Sequence, residues 1–229
     1  MPHPLMIFAA GFGTRMGKLT AKCPKPLIHV AGKPLIDHAL DVAKAAGAGP
    51  VVVNTHYLAQ QMAAHLKDRK VTLSEEADQI LETGGGLRKA LPHLGTGAVM
   101  TLNSDAVWTG QNPLAELAQH WNPARMEALL LLLPPHLATG HTGRGDFIMG
   151  PDGVLSRAKD APGLVYLGAQ ILQPDRLRQI DRDVFSLNLL WDDMIARGTL
   201  FGVVHQGGWC DVGHPEGITQ AETLLARHV

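Results

Sequence analysis

The sequence predicts an α/β protein with a Rossmann-like, mainly parallel sheet flanked by helices. Three observations carry this. Short apolar runs alternate with amphipathic helical patterns through the first 133 residues. The runs LMIFAA (5–10), PVVVN (50–54) and ALLLLL (128–133) are apolar without alternation, as in strands covered on both faces. A glycine-rich stretch, AAGFGTRMGKLTAKCPKPL (9–27), overlaps the end of the first run, at the strand end where open α/β sheets bind ligands.

Taken in order, residues 5–10 form a strand ended by glycine. Residues 34–46 form a helix, with Leu35, Ile36, Ala39, Leu40, Val42 and Ala43 on one face, Pro34 suited to the first turn and Gly47 to the stop. Strand 50–54, helix 57–67 and strand 71–76 follow, then a short helix running from after ETGGG to about Leu91. Residues 98–105 form a strand ending on an acid, 114–121 a helix and 126–133 a strand. The pattern then changes. LPPHLATGHTGRGDF is loop-rich, and DFIMGPDGVLSRAK reads as a hairpin about a Pro-Asp-Gly turn. A strand over 164–172, helices near 187–197 and 215–228 and a strand near 200–205 complete the chain. With no linker and no repeat, the second half reads as an insertion and lid built on the first half's sheet.

The 229 residues are 45 % hydrophobic and 18 % charged, with a net charge of −1, so a sizeable core is expected and no basic face for nucleic acid. The longest apolar runs, of about six residues, fall far short of a bilayer span, and the N-terminus lacks the basic region of a signal peptide. Two cysteines, Cys23 and Cys210, fit a reducing cytoplasm. Twelve scattered histidines form no HExxH or tight cluster.

Two glycine-loop patterns nearly fit residues 11–26. A P-loop would need glycine at Phe12 and a hydroxyl at Leu19. A Rossmann fingerprint would need glycine at Met16 and a helix at once, whereas Pro24 and Pro26 follow. That weighs against a nicotinamide-dependent oxidoreductase. The stretch is expected to be a long functional loop, with glycine backbone against phosphate oxygens, Arg15 forking onto a triphosphate and Lys25 held as a positioned cation between two prolines.

AAGxGTRM…PKPL resembles the signature of the sugar-1-phosphate nucleotidyltransferases. VAGKPLI (30–36), ETGGGL (82–87), NSD (103–105), GRGDF (143–147) and GGWCDVGHPE (207–216) extend the resemblance along nearly the whole chain. ETGGG, GRGDF, DAPG and the W-x-DVG close are similar to N-acetylmuramate α-1-phosphate uridylyltransferases of cell-wall recycling, as is the lack of a C-terminal acyltransferase-like repeat. The resemblance implies the nucleotide-diphospho-sugar transferase fold in one domain over 1–229, with a nucleotide-binding core over about 1–133. A small sugar-binding part and C-terminal helix would occupy about 134–229.

The implied reaction is attack of a sugar 1-phosphate on the α-phosphorus of UTP, with Mg²⁺ as the cofactor, Asp105 and Asp211 as its ligands, and Arg15 and Lys25 as catalytic cations. Ala10, Gly11, Gly13, Thr14, Glu82, Gly84, Gly85 and Asn103 would bind the nucleotide, with Gly84–Gly86 letting backbone lie against the base. Gly145, Asp146, Lys159 and Gly168 would bind the sugar phosphate, with Gly145 allowing close approach of the ring. The chain departs from relatives at Ala158-Lys159-Asp160, where many have Glu-Lys-Pro, and at Gly17–Thr20. Trp209 is either a wall of the site or a core residue. Cys23 lies in the loop without a role in the chemistry. The alternatives are another sugar-1-phosphate nucleotidyltransferase (mannose-1-phosphate guanylyltransferase or a glucose-1-phosphate type) or a catalytically silent nucleotide-sensing subunit. The expected partners are small molecules, with no nucleic acid or membrane, and the chain is expected to be a monomer.

Overall fold

Apolar residues at every position of a strand need helices on both sides, and this requirement shapes the molecule. The computed structural model describes residues 3–227. The first half runs β1 (Leu5–Phe8), α1 (Leu35–Ala45), β2 (Val51–Thr55), α2 (Ala59–Leu66), β3 (Thr72–Glu75), α3 (Glu82–Leu94), β4 (Val99–Asn103), β5 (Ala106–Gly110), α4 (Pro113–His120) and β6 (Ala128–Leu133). The second half adds β7 (Phe147–Met149), β8 (Leu155–Arg157), β9 (Val165–Leu172), α5 (Asn188–Ala196), β10 (Leu200–Val204), β11 (Gly207–Asp211) and α6 (Pro215–Ala226).

The central sheet has seven strands in the order β10-β6-β9-β4-β1-β2-β3. Only β9 is antiparallel to its neighbours; the other pairs are parallel. The first strand shows how the core is divided. Leu5 and Ile7 join Ile36, Ala39, Met62 and Leu114 on one face, while Met6 joins Leu87, Leu91, Trp191 and Met194 on the other. In β6, Leu129, Leu131 and Leu133 face the first cluster and Leu130 and Leu132 the second. Each such fully buried side chain contributes about 1.5–3 kcal/mol relative to exposure. No helix among the described residues is long and apolar enough to cross a membrane.

Most expected elements appear with ends shifted by one or two residues. The last residue of the expected helix over 215–228 lies outside the described residues. Three expectations need correction. First, β5 and β11 pair in a second, three-stranded sheet with Ala138–Thr139, although neither reads as a strand. A tight turn of two residues separates β5 from β4, and β11 opens with two glycines, a residue poor in strands. Second, residues 11–26 are not structureless: they hold 3-10 segments over Thr14–Thr20, kinked at Gly17, and over Lys25–Leu27. Third, α3 begins at Glu82, so the glycines of ETGGG lie inside the helix and not in a loop before it.

Candidate active site

The parallel strands β1, β2, β3 and β4 end at one edge, and the polar residues that follow them gather there. At the end of β1 the chain enters the glycine loop. Gly13 adopts φ +64°, and a Cβ at this position would lie 2.8 Å from Lys25 Cβ and 3.0 Å from Thr20 Cγ2. Glycine here therefore lets the loop close onto the lysine. The loop is pinned further by the Thr20 hydroxyl, 3.1 Å from the Gly13 carbonyl, and by the Tyr57 hydroxyl, which donates to the Thr20 carbonyl at 2.8 Å. Pro24 is extended and Pro26 sits in the following turn, which buries the Lys25 stem. Its Nζ donates to Asp105 Oδ2 at 2.6 Å.

Asp105 occupies the turn between β4 and β5, and Asp211 ends β11. The ladder pairs Asp211 with Ala106, and the Val212 amide donates to the Asp105 carbonyl at 2.8 Å. The small sheet thus brings together two acids far apart in sequence. Burial pushes the Asp211 carboxyl above its ordinary range, and the charge of Asp105 pushes the same way; Lys25, Arg15 and His141 draw it back. A Cβ at Gly213 would lie 2.6 Å from Asp211 Oδ2 and 3.1 Å from Arg15 Nη1, so glycine here leaves room for both groups. His141 and Gly213 are contributors that sequence reasoning missed. Two carboxylates on neighbouring backbone positions, each within the other's field, fit a divalent cation that takes few protein ligands. Among the described residues no group of three or more His, Cys, Asp or Glu forms a metal-ligating set.

Two cavities of about 230 and 240 Å³ adjoin at Phe8, Gly11 and Asp105. Gly13, Thr14, Arg15, Lys25 and Gly213 line the first. Ala10, Asn54, Glu76, Glu82, Thr83 and Asn103 line the second. The structure therefore gathers Arg15, Lys25, Asp105, Ala10, Gly11, Gly13, Thr14, Glu82 and Asn103 around one space, while Asp211 lines neither cavity and stands behind Gly213. Asn54 and Glu76 were missed in the sequence. Their signal was a polar residue closing an apolar strand run, in PVVVN and VTLSEE.

The structure gives the other predicted residues contacts of their own. Gly84 and Gly85 do not offer backbone to the second cavity. Their amides donate to the Phe185 carbonyl at 2.9 and 3.1 Å, and Cβ atoms there would strike Phe185 and the Asp183 carbonyl. Arg88 completes this fastening by donating to the carbonyls of Ile180 and Arg182, each at 2.6 Å. Thr83 Oγ1 accepts the Leu187 amide at 3.0 Å. The space at Gly145 is not left open for a sugar ring: Gly163 backbone fills it, 2.3 Å from where a Cβ would lie. At Gly168, φ +80°, the space is taken by the Asn103 side chain, so this glycine seats Asn103 at the cavity wall. Asp146 Oδ2 accepts the Tyr166 amide at 2.8 Å. Lys159 is exposed in the neighbouring turn, and Gly145, Asp146 and Lys159 stand outside both cavities. Trp209 is a core residue whose Nε1 donates to the Leu167 carbonyl at 3.1 Å. Burial raises the Cys23 thiol above its ordinary range, which leaves it a poor nucleophile.

A glycine loop, two cations and paired carboxylates at the strand ends are what nucleotidyl transfer requires, and comparison with known proteins gives the class. Residues 5–132 match the MobA-like NTP transferase domain, and the chain belongs to that family. It is 40 % identical over 237 aligned positions, covering 98 % of each chain, to the N-acetylmuramate α-1-phosphate uridylyltransferase of Caulobacter vibrioides. It is 33 % identical to the Neisseria meningitidis protein of the same name, covering 96 % of each chain. HddC from Yersinia pseudotuberculosis, solved in complex with GMP-PN, superposes with a TM-score of 0.76 at 19 % identity, covering 96 % of this chain and 98 % of that one. The resemblance seen in the glycine loop thus extends over the whole chain in sequence and in fold.

Proposed function

We propose that this chain transfers UMP from UTP to N-acetylmuramate α-1-phosphate, giving UDP-N-acetylmuramate and pyrophosphate, as a cytoplasmic step of peptidoglycan recycling. The observation that carries the reading is near-full-length identity to two proteins bearing that name. The site supports it with Arg15, Lys25, Asp105 and Asp211 at one corner.

In this reading a phosphate oxygen of the sugar 1-phosphate attacks the α-phosphorus as its bond to the bridging oxygen breaks, and pyrophosphate leaves. No covalent enzyme intermediate is needed. The barrier lies in bringing two anions together in line, so the protein acts by positioning and by charge. Arg15 grips the triphosphate. Lys25, fixed by its buried stem, faces the α-phosphate or the incoming sugar phosphate. Asp105 and Asp211 would hold Mg²⁺, which neutralises phosphate charge. Asn103, braced by Gly168, orients the ribose or sugar region.

The test is pyrophosphate release by the purified protein. UTP, GTP, dTTP and CTP are crossed with the 1-phosphates of N-acetylmuramate, N-acetylglucosamine, glucose and mannose, with Asp105→Asn as control. Release confined to UTP with N-acetylmuramate α-1-phosphate, and lost in the variant, is expected. Release with GTP and mannose 1-phosphate would move the chain toward the Arabidopsis thaliana mannose-1-phosphate guanylyltransferase 1, to which it is 29 % identical over 92 % of its length. No release with any pair would overturn the enzymatic reading.

A further inference from the structure

In the wall of the second cavity lies a chain of buried hydrogen bonds to which the proposed reaction assigns no role. The Ala9 amide donates to Asn54 Oδ1 at 2.7 Å. Asn54 Nδ2 donates to Glu76 Oε1 at 2.7 Å. The Leu81 amide donates to Glu76 Oε2 at 2.7 Å. Asn54 is 3 % exposed and Glu76 1 %. Every donor points toward one carboxylate, and the direction is fixed because a backbone N–H can only donate. The Asn54 amide therefore has a single orientation that satisfies both neighbours.

The arrangement is costly, since a carboxylate is buried with N–H donors and no lysine or arginine among its partners. The chain makes room for it. A Cβ at Gly86 would lie 2.7 Å from Glu76 Oε1 and 3.1 Å from Asn54 Nδ2, which accounts for the third glycine of ETGGG. One carboxylate thereby holds both ends of the loop 77–80, whose half-buried Ile80 lines the second cavity, and through Asn54 it also holds the root of the glycine loop. Glu82 and Thr83 follow Leu81, and Ala10 and Gly11 follow Ala9. All four line the second cavity.

We propose that Asn54 and Glu76 are positioning residues for the nucleotide. Their one-way chain of hydrogen bonds locks the glycine loop and loop 77–80 in register as two walls of the nucleoside cavity. The inference rests on reading this space as the nucleotide site. It predicts an effect on nucleotide binding and none on the sugar phosphate.

The test exchanges the two polar groups. In Glu76→Gln one carboxamide oxygen must serve two donors, so one N–H meets an NH₂. In Asn54→Asp the acceptor for Ala9 remains, but two carboxylates face each other. In the double variant Asn54→Asp/Glu76→Gln, the introduced carboxamide accepts from Leu81 and donates to the introduced carboxylate, which in turn accepts from Ala9. Every donor is then satisfied and the single negative charge is kept. The readouts are the calorimetric Kd for UTP without acceptor, both KM values, and Tm. Each single variant should weaken UTP binding by about tenfold or more, with the sugar-phosphate KM unchanged within about twofold. The double variant should recover most of the loss, as expected for coupled partners. If a single variant fails to fold, the double variant decides. Single variants that lower Tm but leave the UTP Kd alone would overturn the proposal, as would a double variant no better than the worse single. A wild type that binds UTP without turnover would overturn the proposed reaction alone. One that binds no nucleotide would overturn both.

Discussion

Replacing Gly13 by alanine tests whether the glycine loop is shaped around Lys25. Two effects add. Alanine at φ +64° costs about 1–2 kcal/mol in the left-handed region. Its Cβ would also lie 2.8 Å from Lys25 Cβ, whereas carbons pack best at about 3.5–4.0 Å. Lys25 or the loop must then retreat by roughly 1 Å, and such overpacking adds about 1–3 kcal/mol. Gly47 supplies a matched control, having the same φ of +64° and, among the described residues, no non-neighbouring atom within 4 Å of its would-be Cβ. Gly47→Ala should therefore lose only the backbone share. In a domain of this size 1 kcal/mol moves Tm by about 2–4 °C, so Gly13→Ala should melt several degrees below Gly47→Ala. A shift of 1 Å in a positioning group costs roughly 100-fold in rate. Turnover should fall by about that factor in Gly13→Ala and stay near wild type in Gly47→Ala. Thermal denaturation and pyrophosphate release measure both. Equal melting temperatures with equal turnover would refute the packing argument.

Other outcomes follow from the same structure. Asp211→Asn removes a half-buried acid from beside Asp105, so it should melt above wild type without divalent cation while losing roughly 100-fold or more in turnover. Scanning fluorimetry should also show MgCl₂ raising the Tm of wild type but not of this variant. Burial pushes Glu127 up, but the Thr199 hydroxyl and the guanidiniums of Arg197 and Arg176 outweigh it and hold the carboxyl below its ordinary range. The stability from that shift is fully present above the usual glutamate range and is lost as pH falls through the depressed value. The Tm gap between wild type and Glu127→Gln should therefore be widest near neutral pH and shrink in acid, as melts across a pH series would record. Cys23, with its thiol raised by burial, should react slowly with iodoacetamide at pH 7 and faster in alkali, and Cys23→Ser should keep full turnover.

The central sheet was legible because β1, β2, β4 and β6 are covered on both faces, which leaves unbroken apolar runs in the sequence. Arg15 and Lys25 were legible because they share one local loop with its glycines and prolines. The meeting of Asp105 with Asp211 was legible only through the family resemblance and not from local pattern, since β5 and β11 join them and glycines weaken the strand signal of β11. Asn54 and Glu76 looked like ordinary polar residues at strand ends; only the three-dimensional path from Ala9 to Leu81 shows that they share one network. The glycines of ETGGG were legible as special, but their contacts were not. Phe185 and Asp183, which occupy the space at Gly84 and Gly85, lie about a hundred residues away.

The fastening of residues 180–187 onto α3 bears on how such proteins can be recombined. A new second half could be grafted at the change of pattern near residue 134. That junction leaves Gly84, Gly85, Arg88 and Thr83 on one side, and the carbonyls of Ile180, Arg182 and Phe185 with the Leu187 amide on the other. The transplant would inherit half of a clasp. The natural unit of exchange is therefore discontinuous: the first two turns of α3 must travel with the segment that leads into α5.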